Sequence, residues 1–188
     1  MLHAATAALL LVLGAKPLDG VSLRWKPTAS TATVLNEAAR TFKEKKIQVL
    51  PFTDAREDHA LVGRNTEDRI PRDVTTQDDV GAWCSTRLVE LLKQAGVAVV
   101  TDGADIVLSG EVTRFRVDEG ERYRGTIALK LSVRDGAGKE LWRGLVSGDN
   151  DRFGRSYKEE NYMETLSDSL LAAASALFAD PELRAKVQ

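Results

Sequence analysis

The sequence predicts an α+β domain, a mostly antiparallel sheet with two main helices packed on one face. Three patterns carry that expectation. Apolar residues recur every three or four positions from Val80 to Ala95, as on one face of a helix. From 122 to 134 they alternate almost perfectly, as in a strand with one buried and one wet face. A second helical period runs from about Lys158 to Phe178.

Taken in order, Val21-Ser22-Leu23-Arg24-Trp25 alternates as a short strand does and stops at Pro27. Leu35, Ala38, Ala39 and Phe42 share a face if Leu35 to Lys46 is helical. Ile47 to Phe52 is an apolar run interrupted by Gln48, expected to be a strand covered on both faces, with Pro51 near its end. Residues 54–75 carry Gly63, Asn65, Pro71 and many charges, and read as a long excursion or polar hairpin. The helix that follows has Thr75 or Thr76 available as a cap and Gly96 as a stop. Val97 to Val100 is a short strand, then Ala104 to Val117 a long one. Its apolar positions change parity between Val112 and Phe115, which calls for a bulge near Thr113. After a turn at 118–121, the alternating strand buries Tyr123, Ile127, Leu129, Leu131 and Val133 and keeps Arg122, Arg124, Lys130 and Arg134 wet. Asp135-Gly136-Ala137-Gly138-Lys139 turns the chain back into a strand from Glu140 to Ser147. A polar link leads to the last helix, whose apolar face is Tyr162, Leu166, Leu170, Ala173, Ala174 and Leu177.

The chain divides into an apolar leader (1–15), a lead-in (16–45) and the α+β domain (46–188). Ala4 to Ala15 has the length of a secretory h-region, although Met1-Leu2-His3 brings no Lys or Arg before it. The expectation is export, to the periplasm or the periplasmic face of the outer membrane. With 26 Lys and Arg against 28 Asp and Glu, the chain lacks the basic surplus of a nucleic-acid binder. The single Cys84 excludes an intrachain disulfide and falls on the apolar helix face, where a thiol is a small hydrophobe.

Catalytic residue types are scarce. His3 lies in the leader, so His59 is the candidate for imidazole chemistry in the domain, and no Gly-x-Ser-x-Gly elbow accompanies it. Asp54, Asp58 and His59 are chemically acceptable metal ligands, which keeps a metal-dependent enzyme as the alternative. Their spacing matches neither a helical His pair nor a calcium loop, and favours a solvated turn in which Arg56 bridges carboxylates. The glycines of 135–139 lie between strands rather than before a helix, so no phosphate cradle and no cofactor is expected. Asp54, Arg56, Glu57, Asp58, His59 and Arg64 are instead expected to form a partner-binding loop.

Ile47 to Arg56 followed by Val62-Gly63 resembles the opening of YajG-like bacterial envelope lipoproteins, where an apolar strand runs into Asp-x-Arg and a Gly follows. The resemblance continues through Leu88 to Gly96, Ala104 to Val112, Gly138-Lys139-Glu140-Leu141-Trp142 and the terminal helix, covering roughly 46–178. It implies a module like the N-terminal domain of TolB or those of CsgG and LpoB, which serve envelope assembly or bind partner proteins. On that basis the protein is expected to be non-enzymatic, to have an envelope protein as partner, and to be open to oligomerisation and peripheral membrane association. It departs from the family in lacking a Cys to be acylated after the leader.

Overall fold

The computed structural model describes residues 17–187 except Asp68 and Arg155, without the side chains of Ala32 and Thr33; the leader expected at 1–15 lies outside the described residues. The elements are α1 (Thr31–Leu35), a 3-10 turn (Ala38–Phe42), β1 (Lys46–Val49), β2 (Thr53–Asp54), β3 (Leu61–Asn65), β4 (Arg72–Thr75), α2 (Val80–Gln94), β5 (Ala98–Val99), β6 (Ile106–Glu119), β7 (Arg122–Asp135), β8 (Glu140–Phe153), α3 (Glu159–Ala179) and α4 (Pro181–Val187).

The fold is α+β, organised on β6. One edge of β6 pairs antiparallel with β7, which pairs antiparallel with β8. The other edge takes β1, β2 and β3 in succession, all parallel to it. β5 adds in parallel beyond β1, and β4 adds antiparallel beyond β3. The long ladders are therefore antiparallel as expected, while the short strands make the sheet mixed. β1, β2 and β3 act as pieces of one interrupted strand. From Asp54 to Gly63 this line advances nine residues while its partner advances five, from Val112 to Val117. The surplus chain is looped out, and it contains the Arg56 to His59 cluster.

Burial follows the alternation. The register of β6 against β7 shifts between Val112 and Arg114, which returns Phe115, Val117 and Glu119 to the face of Ile106 and Leu108. α2 and α3 cover that face: Trp83 meets the Phe115 ring edge-on at 5.5 Å, and Tyr162 meets Tyr123 at 5.4 Å. α3 lies close on the sheet because Gly125 and Gly148 leave room for it; a Cβ on Gly148 would collide with the α3 backbone at Ser169 and Ala173. The opposite face carries Arg114, Arg124 and Lys130 toward solvent.

Several local expectations are corrected. Val21 to Trp25 forms no strand; the chain just before it makes one isolated bridge, Leu18 to Val74, and the segment itself buries Val21 and Leu23. Val21 N–H donates to Thr75 O, and beyond it the backbone is held by side chains, with Leu23 N–H donating to Asp78 and Lys26 N–H to Ser167. The helix expected from Leu35 to Lys46 is α1 plus the 3-10 turn. The apolar run at Ile47 is covered on one face only, because Leu50 is exposed. Asp79, not a threonine, caps α2 by accepting from Ala82 N–H at 2.9 Å. Thr76 is spent on Val21 O. β8 runs six residues past Ser147, because the polar stretch to Phe153 finds ladder partners in Arg122 to Ile127. Among the described residues no helix is long and apolar enough to cross a membrane.

Candidate functional site

The looped-out segment between β2 and β3 is closed by one side chain. Arg56 folds under it and grips Asp54 with two bonds, Nε to Oδ1 at 2.9 Å and Nη2 to Oδ2 at 2.7 Å. Nη2 also donates to His59 O, and Nη1 donates to Leu61 O and Phe115 O. Five guanidinium N–H groups thus meet five acceptors. The Arg56 side chain is 7% exposed, with its charge 5.7 Å from the centre of the Phe115 ring. The fork ties β2, the loop, β3 and β6 together, a demand that a bidentate planar donor meets and an ammonium does not.

His59 Nδ1 lies 3.1 Å from Asp54 Oδ2. Burial alone would raise the Asp54 pKa; the hydrogen bonds and charge of Arg56, with a contribution from His59, outweigh it and hold the carboxyl below its usual range. Asp58 Oδ1 accepts from Ala60 and Leu61 N–H, which shapes the turn into β3. Glu57 is exposed, and so is His59, at 66% of its side chain. Arg64 stands apart, in a two-bond pair with Asp73 across the β3–β4 hairpin. The structure thus joins Asp54, Arg56 and His59, turns Asp58 onto its own backbone, and separates Arg64.

Among the described residues no group of three or more His, Cys, Asp or Glu side chains is placed to hold a metal. A concavity beside the cluster, lined by Phe52, Asp54, His59, Asp78 and Asp79, is shallow and acidic at the start of α2. Cys84 is buried, and burial pushes its thiol pKa upward, away from nucleophilic use.

A second polar centre escapes sequence reasoning. Glu119, at the end of β6, is fully buried. Its Oε1 accepts from Ser156 N–H at 3.0 Å and Tyr157 N–H at 2.8 Å, and its Oε2 accepts from the Tyr162 hydroxyl at 2.6 Å. Burial would raise the Glu119 pKa, yet the polar side chains of Asn65 and Tyr123 around it and the hydrogen bonds from the Tyr162 hydroxyl and Tyr157 N–H hold it below the usual carboxylate range. Burial and the same carboxylate push the Tyr162 phenol upward. Tyr157 adopts a left-handed backbone, φ 42°, which aims its N–H at Glu119. Its hydroxyl receives Leu18 N–H and donates to Asp73 O, and its ring carries the Arg72 guanidinium at 4.0 Å. The centre is a structural clamp between the sheet end and the start of α3. The available signal was parity: Glu119 falls on the buried side once the bulge at Thr113 is counted.

No protein-family model matches this chain, and no curated protein matches it. Solved structures do. A Xanthomonas campestris protein of the family DUF330 superposes with a TM-score of 0.53 at 14% identity, over 72% of this chain and 82% of that one. A candidate lipoprotein of Caulobacter crescentus gives 0.47 at 14% identity, over 84% and 98%. A hypothetical protein of Chlamydia trachomatis gives 0.47 at 10%, over 75% and 96%. The likeness to the Xanthomonas protein shows a shared fold.

Proposed function

We propose that the protein is an exported cell-envelope protein of the YajG-like kind, non-enzymatic, serving as a protein-binding or assembly module. The observation that carries the reading is the fate of Arg56. The guanidinium at the heart of the candidate loop has every donor engaged internally, so it is a strut and not a substrate clamp. It holds Glu57 and His59 outward on a rigid base, which suits recognition of another protein surface. The free outer side of β8 supports the same reading: among the described residues β8 pairs with β7 alone, leaving a long edge able to accept a partner strand. The leader at Ala4 to Ala15 motivates export, and the motif resemblance motivates the family.

The test is crosslinking in the native envelope followed by co-purification. An envelope protein is expected to be captured, and the E57K/H59E double substitution is expected to reduce that capture without unfolding the domain. A monomer confined to the cytoplasm, without an envelope partner, overturns the reading. So does a stoichiometric divalent metal in the purified protein that H59A abolishes, since that outcome supports a metal-dependent enzyme at Asp54, Asp58 and His59.

A further inference from the structure

Along the interrupted side of the sheet the outer strands are short or covered. β2 and β5 are two residues each, Thr53–Asp54 and Ala98–Val99. The outer side of β4 is taken by the lead-in, where Leu18 bridges Val74, Thr75 N–H donates to Leu18 O at 3.0 Å and Val21 N–H donates to Thr75 O at 2.8 Å. The opposite edge is different. β8 runs from Glu140 to Phe153 and, among the described residues, ladders with β7 alone. Proteins that stay single guard a long edge with Pro, Lys or a mid-strand bulge. β8 has no Pro and no Lys, and its register shift falls at its start, at Leu141. In its middle, Leu145 stands on the helix-free face opposite Lys130 and is 67% exposed.

The charges along this edge complement themselves. Beyond Leu141 the faces alternate, with Arg143, Leu145, Ser147, Asp149 and Asp151 on the helix-free side and Val146 and Gly148 on the helix side. Two copies of β8 running antiparallel about a twofold axis must oppose residues of one face, so some residue lies opposite its own copy. With the axis at Val146, Arg143 of each copy faces Asp149 of the other, and Leu141 faces Asp151. Glu140 and Arg152 meet at the ends, so no like charges are opposed. Leu145 then faces Ser147 and lies diagonal to the other Leu145, about 7–8 Å away and within reach of it. An axis at Leu145 sets Arg143 against Ser147 and Asp149 against Leu141. An axis at Ser147 keeps Arg143 against Asp151 but sets Asp149 against Leu145. Both charged partners have atoms to spare. Arg143 donates to Glu140 through Nε and Nη2, and Asp149 accepts from the Thr126 hydroxyl at Oδ1, which leaves Nη1 and Oδ2 for a second copy.

The geometry points to β8 as a self-recognition edge: two copies of this chain join antiparallel through their β8 strands, about a twofold axis at Val146, and one sheet runs through both. The inference rests on the edge-pairing part of the proposed function and names the strand that is accepted; neither export nor an envelope partner is needed for it. Backbone ladder bonds supply the attachment, and the two Arg143–Asp149 pairs select the register, as exposed charges do more for specificity than for affinity.

Sedimentation equilibrium of the full-length protein is expected to show a concentration-dependent dimer. R143D and D149R are each expected to weaken it about tenfold or more, because each turns both facing pairs into like charges. An equimolar mixture of the two variants is expected to associate within about threefold of wild type, since every facing pair in the mixed dimer is again of opposite sign. V146C is expected to form an interchain disulfide on mild oxidation and D151C to stay unlinked, with Cys84 buried and silent. A monomer at every concentration up to about 1 mM overturns the inference. So do single variants that dimerise as wild type does, a mixture that fails to pair, or crosslinking of D151C in place of V146C. Capture of an envelope partner by a protein that stays monomeric defeats this inference alone; a dimer that captures no envelope partner defeats the proposed function alone.

Discussion

At the residue scale, two buried ion or hydrogen-bond centres set the expected mutant behaviour. Replacing Arg56 with Ala strands the Asp54 carboxylate and three backbone carbonyls, so R56A is expected to lose about 3 kcal/mol or more in urea denaturation. R56K is expected to recover little of that, because one ammonium cannot span acceptors on β2, the loop, β3 and β6. Glu119 gives a pH signature. Its folded pKa lies below its unfolded value, so its stabilisation is complete above the unfolded value of about 4.3. That stabilisation is lost as pH falls through the folded value. E119Q is therefore expected to be less stable than wild type at pH 7, with the gap closing as the pH drops below about 4 in a series of denaturation curves. Y162F removes one hydrogen bond to this carboxylate and is expected to cost about 1.5–3 kcal/mol. Of these residues Arg56 was visible in the sequence as a charge in a polar run. Its burial was not, because Phe115 is fifty-nine positions away.

At the element scale, the helices depend on close approach. Gly148 lies under the α3 backbone, so G148A forces helix and sheet apart and is expected to destabilise by about 1–3 kcal/mol by denaturation. D79A removes the α2 cap and is expected to cost about 1 kcal/mol. The elements that were legible in advance were those with their own periodicity. The strand from Arg122, the helix at Val80 and the helix near Lys158 each write their buried face every two or every three to four residues, whatever they pack on. The second half of β8 was illegible for the converse reason. Gly148 to Phe153 is polar and glycine-containing, and it is a strand because β7 offers a ladder.

At the scale of the whole molecule, the lead-in belongs to the packed body. Leu35, Ala39 and Phe42 are buried, Phe42 stacks edge-on to Phe178 at 5.1 Å, and Thr28 is tied to Asp168 through both its N–H and its hydroxyl. A chain beginning at Lys46 is expected to expose the α3 face, bind a hydrophobic dye and lose a cooperative thermal transition in calorimetry. This assembly also decided the use of the candidate loop. Its length is the mismatch between the interrupted β1–β2–β3 line and the continuous β6, a quantity set only once the strands are in register.

The sequence by itself determined the α+β class, the faces of the main helices and of β7, the bulge near Thr113 and the poverty of catalytic groups, because each follows from residue type or local period. Only the tertiary structure decided that Arg56 is a spent strut and that Glu119 is a buried acceptor. Those outcomes depend on which distant groups are brought together, and a hydrogen bond or a desolvated charge is defined by its partner rather than by its own place in the chain.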